Sequence, residues 1–300
     1  MTVYPVIIFC YKRLDCVSSA IARLRTNFLA ASTDVYVYSD GPATSSEAED
    51  VKNVRSFLKS VKGFKSLTVI ESVENKGLAA SVIHGVSEIL TDNEAVIVLE
   101  DDLLASANFL NFMNEALSFY RDNSKVFSVS GYTFPLRLPA GYASDVYFTQ
   151  RASSWGWATW RDRWEKIDWD VADYRSFTKN SAAVKQFNRM GSDMSGMLAR
   201  QMRGEINSWA IRWCYQQFRS GTYSVFPVKS KIQNIGFGEA ATHTQAIQNA
   251  RFATELDRSG KTKFRFTEEV GLEPSLIKQF RAKYNILTRL KYKILGFLSK

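Results

Sequence analysis

The first 120 residues alternate short runs of β-branched and aromatic residues with longer segments of helical periodicity, and few folds accommodate that rhythm. Residues 5–10, 34–39, 66–71 and 95–99 read as strands; residues 14–28, 45–60, 77–90 and 107–120 read as helices. Such alternation is the signature of a parallel sheet covered by helices, an α/β nucleotide-binding architecture. Ligands of parallel sheets bind at the carboxyl ends of the strands. Polar clusters fall at those ends: Tyr11-Lys12-Arg13, Asp40-Gly41 and Glu100-Asp101-Asp102.

From about residue 125 the rhythm breaks. Short strands at 126–130 and 146–149 lead into a tryptophan-rich stretch, 153–160, then a polar helical region over 180–222, a strand at 223–227 and a loop at 234–244. No internal repeat and no low-complexity linker separates the halves. The length of 300 residues and the 45% hydrophobic content are those of a globular chain with one enlarged domain and an appendage. Cys10, Cys16 and Cys214 are odd in number and lack framework spacing, which fits a reduced compartment. The N-terminal apolar run is too short to span a membrane and lacks a leader's basic flank and cleavage site, so a cytoplasmic location is expected.

Three carboxylates in succession after the buried run Val96-Ile-Val-Leu99 repel one another unless a cation is present. Hard divalent ions prefer oxygen ligands and bridge substrate phosphates, so one reading is a metal–diphosphate site. The other is a solvated acidic turn that complements the dipole of a helix beginning near Ser106.

The wider pattern favours the first. Val-Ile-Val-Leu-Glu-Asp-Asp-Leu at 96–103, followed by Asn108-Phe-Leu-Asn-Phe112, resembles the acidic metal motif of the N-acetylglucosaminyltransferase I family and of bacterial family 2-like, hemolytic-protein-like glycosyltransferases. Phe9-Cys-Tyr-Lys-Arg13, Tyr38-Ser-Asp-Gly41 and Asn75-Lys76-Gly-Leu-Ala79 resemble the donor-side segments of those enzymes. Ser153-Ser-Trp-Gly-Trp157, Asn207-Ser-Trp-Ala-Ile-Arg-Trp213 and the stretch from Asn234 to Thr244 resemble the acceptor, catalytic-helix and closing-loop segments. The resemblance covers most of residues 4–245.

It implies a GT-A fold, Rossmann-like, with a mixed and mainly parallel sheet flanked by helices. Residues 1–245 would form the glycosyltransferase domain, with a nucleotide-donor half at 1–125 and an acceptor half at 126–245; residues 246–300 would form a C-terminal helical extension. The donor would be a nucleoside-diphosphate sugar, uridine-based, with Mn²⁺ or Mg²⁺ as cofactor. By position Asp102 is implied as the metal ligand, Glu100 as the ribose-side contact and Asp101 as a contact to the transferred sugar. Asp40 would accept from the uracil imide and Arg13 would supply positive charge or a base contact, with Tyr11 and Lys76 also on the donor side. His243 is implied as a ligand of the metal or a contact to the diphosphate; a loop histidine bonded only to backbone is the alternative.

Aromatic faces suit sugar rings and glycine permits close approach, so Trp155, Gly156 and Trp209 are candidates for the acceptor or sugar. Trp157, Trp160 and Trp164 stand at the spacing of a helix's buried stripe and are assigned to the core. Inverting transfer needs a carboxylate base. Many relatives carry an aspartate where this chain has Ala210, which leaves Asp193, in the loop Gly191-Ser-Asp-Met-Ser-Gly196, and Glu205 as candidates.

The net charge of +9 is concentrated at the end of the chain. After Glu273 there is no acidic residue, while Lys278, Arg281, Lys283, Arg289, Lys291, Lys293 and Lys300 are basic. The body is therefore no nucleic-acid platform. Apolar residues recur between these charges at three- and four-residue steps, giving a basic amphipathic helix suited to an anionic membrane surface on the cytoplasmic side or to another subunit, with docking on the body of the chain as the other reading. The functional expectation is a glycosyltransferase of surface polysaccharide or lipopolysaccharide assembly, acting on a glycan or lipid-linked acceptor. A sugar nucleotidyltransferase would share the sheet and the metal carboxylates, but Phe9-Cys-Tyr-Lys-Arg13 lacks the glycines of an activation loop. A glycan- or membrane-associated binding protein without catalysis is the reading that Ala210 suggests.

Overall fold

Every residue of β1 (Val6–Cys10) is buried, as its unbroken apolar run requires of a central parallel strand. The computed structural model describes residues 2–236 and 250–298. In the donor half β1 is followed by α1 (Leu14–Arg25), β2 (Asp34–Ser39), α2 (Ala48–Ser60), β3 (Ser66–Glu71), α3 (Leu78–Asp92) and β4 (Ala95–Glu100). Strands β3, β2, β1 and β4 lie side by side and parallel. Phe9 stands beside Glu100 and Cys10 beside Ser39, so the carboxyl ends of β1, β2 and β4 are level.

After β4 come β5 (Leu103–Ala105), α4 (Phe109–Tyr120), β6 (Val126–Ser130), β7 (Val146–Thr149) and β8 (Trp157–Trp160). A run of helices follows: α5 (Arg161–Trp164), α6 (Tyr174–Lys179), α7 (Ser181–Phe187), α8 (Met194–Met202) and α9 (Trp209–Ser220). Then come β9 (Tyr223–Pro227), β10 (Ile232–Asn234), α10 (Pro274–Tyr284) and α11 (Ile286–Leu298). The main sheet has eight strands in the order β3-β2-β1-β4-β8-β6-β9-β7, mixed but mainly parallel. Strand β8 runs antiparallel to both β4 and β6, and β7 antiparallel to β9. A second, two-stranded sheet joins β5 to β10.

Alternation along the strands divides the core between the faces of the sheet. Ile7, Phe9, Val96 and Val98 pack with Val82 and Val86 of α3 and Trp213 of α9. Val6, Ile8, Ile97 and Leu99 belong to the opposite core, with α1, α2 and α4. The tryptophans expected in the core are buried there, on different geometry. Trp157 and Trp160 end a strand, and a spacing of three places them on opposite faces; only Trp164 is helical. Pairing of β8 with β4 and β6 overrides the helix-like spacing.

The C-terminal stretch is less helical than its sequence suggests. Residues 253–273 carry no helix and run back across the body, with Phe264 and Phe266 against Phe112 at ring distances of 5.2 and 6.1 Å. Asp257 pairs with Lys231 in the interior and accepts a second hydrogen bond from Asn108 at 3.0 Å. Leu276, Ile277 and Phe280 of α10 are buried, and Phe280 contacts Phe134 and Phe226. The single amphipathic helix expected after residue 275 is broken at Asn285, whose side chain accepts from the Thr288 amide at 2.7 Å and starts α11.

Burial would raise the Asp257 carboxyl, and Lys231 and Asn108 outweigh it, holding it well below the usual carboxylate range. Asp257→Ala strands the Lys231 ammonium and is expected to cost about 3–5 kcal/mol in denaturant unfolding. Adding Lys231→Met should recover much of the loss.

Candidate functional site

Strand β4 ends at Glu100, and Asp101 and Asp102 form the turn into β5. Strand β10 holds the far side of this turn. The Ile235 amide donates to the Asp102 carbonyl at 2.9 Å, and the Asn234 side-chain amide reaches Asp102 Oδ1 at 3.4 Å. Gly236 lies so close that a Cβ there would stand 2.1 Å from Asp102 Oδ2. On the near side, Arg13 Nη2 donates to Asp101 Oδ1 at 2.6 Å and to Asp102 Oδ2 at 2.9 Å, and the Tyr11 amide reaches Asp101 Oδ2 at 3.4 Å.

One guanidinium thus faces three clustered carboxyl groups, and burial and mutual repulsion act together on two of them. Burial pushes the Glu100 carboxyl up to about 8, helped by the charges of Asp102 and Asp101. Asp101 is raised too, by burial first, although Arg13 opposes the change. Burial works against the Arg13 charge, yet Asp101 and Asp102 carry its pKa above the ordinary value. Cys10 is pushed up to about 12 by burial and by Asp101.

Glu100 and Asp101 of this cluster line a cavity of about 350 Å³, and Asp102 stands beside it, bonded to Arg13 of its wall. Phe9, Tyr38 and Leu78 supply apolar walls; Tyr11, Arg13, Asp40, Glu100 and Asp101 supply polar ones. Asp40 is engaged by backbone, accepting from the amides of Gly41, Lys76 and Gly77 at 2.9 Å each, which ties the β2 end to the start of α3. Lys76 is exposed and enters this arrangement through that amide. The Tyr11 hydroxyl donates to Glu47 at 2.6 Å. A cavity with both apolar and charged walls suits a flat ring with a phosphorylated tail.

The donor set fits a divalent cation of the Mg²⁺ or Mn²⁺ type. Such ions take one or two protein carboxylates and complete their shell with water and substrate phosphates. The turn offers hard oxygen ligands in surplus over positive charge. Among the described residues, no three His, Cys, Asp or Glu side chains are grouped so as to hold an ion. His243 lies outside the described residues.

The residues expected on the acceptor side are dispersed. Trp155 lines a second cavity, of about 190 Å³, where its ring meets Tyr132 edge-on at 4.7 Å and Phe252 at 5.9 Å. Gly156 has φ +58°, and a Cβ there would lie 2.5 Å from Ile232 Cγ1, which accounts for the glycine without a ligand. Trp209 is buried at 4% exposure, its ring tilted against those of Trp157 and Trp213. Asp193 adjoins the second cavity but is held by Arg151 in two hydrogen bonds of 2.8 and 2.9 Å. Glu205 sits on the surface, paired with Arg203 at 2.6 Å. Burial would raise Asp193, and its bonds to Arg151 reverse the sign, so its pKa is lowered; Glu205 is lowered by Arg203. Both carboxylates are committed to arginines, which weakens them as bases.

Arg151 and residues 232–233 of strand β10 are parts of this region that the sequence did not single out. Arg151 stacks on Tyr284 at 4.0 Å, a contact across more than a hundred residues that no local pattern signals.

The fold and site together define a mixed α/β protein with a carboxylate-rimmed crevice at the carboxyl ends of its parallel strands. No protein-family description matches the chain, and no curated protein matches its sequence. Two solved structures are similar to it in outline. One is the mannosyltransferase PcManGT from Pyrobaculum calidifontis in complex with GDP-Man and Mn²⁺, at 12% identity and TM-score 0.48, covering 99% of this chain and 74% of that one. The other is S. aureus TarS, at 11% identity and TM-score 0.46, covering 82% of this chain and 38% of that one. At these scores the likeness carries no assignment of activity.

Asp193 contributes stability that is fully present above its unfolded pKa near ~4 and lost as pH falls through its lower folded value. Asp193→Asn is therefore expected to lose about 3 kcal/mol at pH 7, and the gap to the parent should narrow in unfolding curves taken at progressively lower pH.

Proposed function

We propose that this chain is a metal-dependent glycosyltransferase that moves a sugar from a nucleoside-diphosphate sugar, uridine-based, to a glycan or lipid-linked acceptor in surface polysaccharide or lipopolysaccharide synthesis on the cytoplasmic side. The observation that carries this reading is the crowding of Glu100, Asp101 and Asp102 around the Arg13 guanidinium beside the 350 Å³ cavity. Asp102 would hold a Mn²⁺ or Mg²⁺ ion. Such an ion supplies Lewis-acid neutralisation of the leaving diphosphate.

The chain's own groups have separable tasks. Phe9, Tyr38 and Leu78 wall a planar base and exclude water from it. Asp40, through its three backbone bonds, fixes the loop that forms one side of the cavity. Glu100 and Asp101 face hydroxyl groups of the ribose and the transferred sugar. Arg13 bridges Asp101 and Asp102 and stands where it can also meet a phosphate oxygen. The cavity at Trp155 is the acceptor side, and transfer proceeds with inversion.

A second reading has a specific observation behind it. Ala210 lines the acceptor-side cavity, while Asp193 and Glu205 are tied to arginines, so a nucleotide- and glycan-binding protein without turnover is the alternative. Incubation with a panel of nucleotide sugars separates the two. The enzyme releases sugar slowly to water when Mn²⁺ is supplied, whereas the binding protein is stabilised by donor without releasing any.

Thermal stabilisation by uridine diphosphate is expected to require Mn²⁺ or Mg²⁺ and to vanish in Asp102→Ala. Equal stabilisation of parent and variant would overturn the assigned ligand.

A further inference from the structure

Helix α11 presents its apolar side outward. Ile286, Leu287, Leu290 and Ile294 are 67, 75, 52 and 49% exposed. At 3.6 residues per turn they fall within an arc of about 100°. Lys291 and Lys293, both exposed, project on either flank of that arc. Thr288, Arg289 and Tyr292, half-buried, take the opposite side, and Arg289 donates to Ser192 Oγ at 3.0 Å. The polar side thus anchors the helix to the body and leaves the apolar one in solvent.

A groove of about 780 Å³ runs beside the start of this helix, with Ile286 in its wall. Arg189, Lys278 and Arg281 line it, no carboxylate does, and none of the three forms an ion pair among the described residues. Cationic groove and apolar stripe are therefore contiguous.

We propose that α11 and this groove form a docking surface for an anionic lipid bilayer, with the four apolar side chains entering the acyl boundary and the arginines and lysines meeting phosphate headgroups. Charge decides the occupant. A second copy laid on the same stripe would bring Lys291 and Lys293 against their counterparts, whereas anionic headgroups complement them. Among the described residues no helix is long and apolar enough to cross a membrane, so α11 lies along the surface. Tyr284, at the end of α10, lines both the groove and the cavity at Trp155, so docking would bring that cavity toward the bilayer. The docking surface stands or falls independently of the donor-site reading.

The test is vesicle flotation of the full chain. Binding is expected to vesicles of phosphatidylcholine with about a third phosphatidylglycerol, to fall steeply between about 0.1 and about 1 M salt, and to be absent on phosphatidylcholine alone. Replacing Ile286, Leu287, Leu290 and Ile294 together by serine should weaken binding about tenfold or more, as should Lys291→Glu with Lys293→Glu. The thermal transition should stay at the parent's value, since these side chains are exposed. Parent that ignores anionic vesicles, variants that bind as the parent does, or a parent dimer that the serine variant dissociates would each overturn the proposal.

Discussion

The structure depends on one electrostatic arrangement: a buried strand that delivers three carboxyl groups to the same corner, with one guanidinium to balance them. Arg13 holds Asp101 and Asp102 through a single nitrogen, and Glu100 receives no bond from it. Burial first, and the charges of Asp102 and Asp101 after it, raise the Glu100 carboxyl. Carboxyl groups crowded in this way are favoured by a nearby cation, and a divalent ion would find the oxygen ligands it prefers already in place.

The fold serves that corner from both sides. Level strand ends put Tyr11, Asp40 and Glu100 around one cavity, while the small β5–β10 sheet pins Asp102 from across the turn. Chain remote in sequence is recruited for this: residues 234–236 close over an acidic turn more than a hundred positions earlier. The same logic recurs at Lys231 and Asp257, where a buried ion pair fastens the returning C-terminal segment to the residue just before β10.

The donor half was legible in the sequence because its signals are local. Strand runs are continuous and apolar, helices are periodic, and each boundary lies within a few residues of expectation; residues 34–39 and 66–71 coincide with β2 and β3. Tyr11, Arg13, Asp40, Glu100 and Asp101 converge on one cavity because parallel strands bring their ends together whatever the loops do. The acceptor half was harder because its order is non-local. Nothing near Asp193 announces Arg151, and nothing near Trp209 announces the rings of Trp157 and Trp213 that bury it. Trp157 and Trp160 share a helix's spacing yet form a strand, because β8 is inserted between two others. In the tail, periodicity alone merged two helices whose apolar sides face opposite fates, α10 inward and α11 outward.

Anomalous diffraction at the manganese edge, from crystals soaked with Mn²⁺ and uridine diphosphate, tests the central claim most directly. The account predicts a manganese peak within coordination distance of Asp102, joined to both phosphates, with Arg13 displaced from at least one of its two carboxylates. Diphosphate bound without a metal peak, or Arg13 still bridging both aspartates beside an ion-free turn, would contradict it.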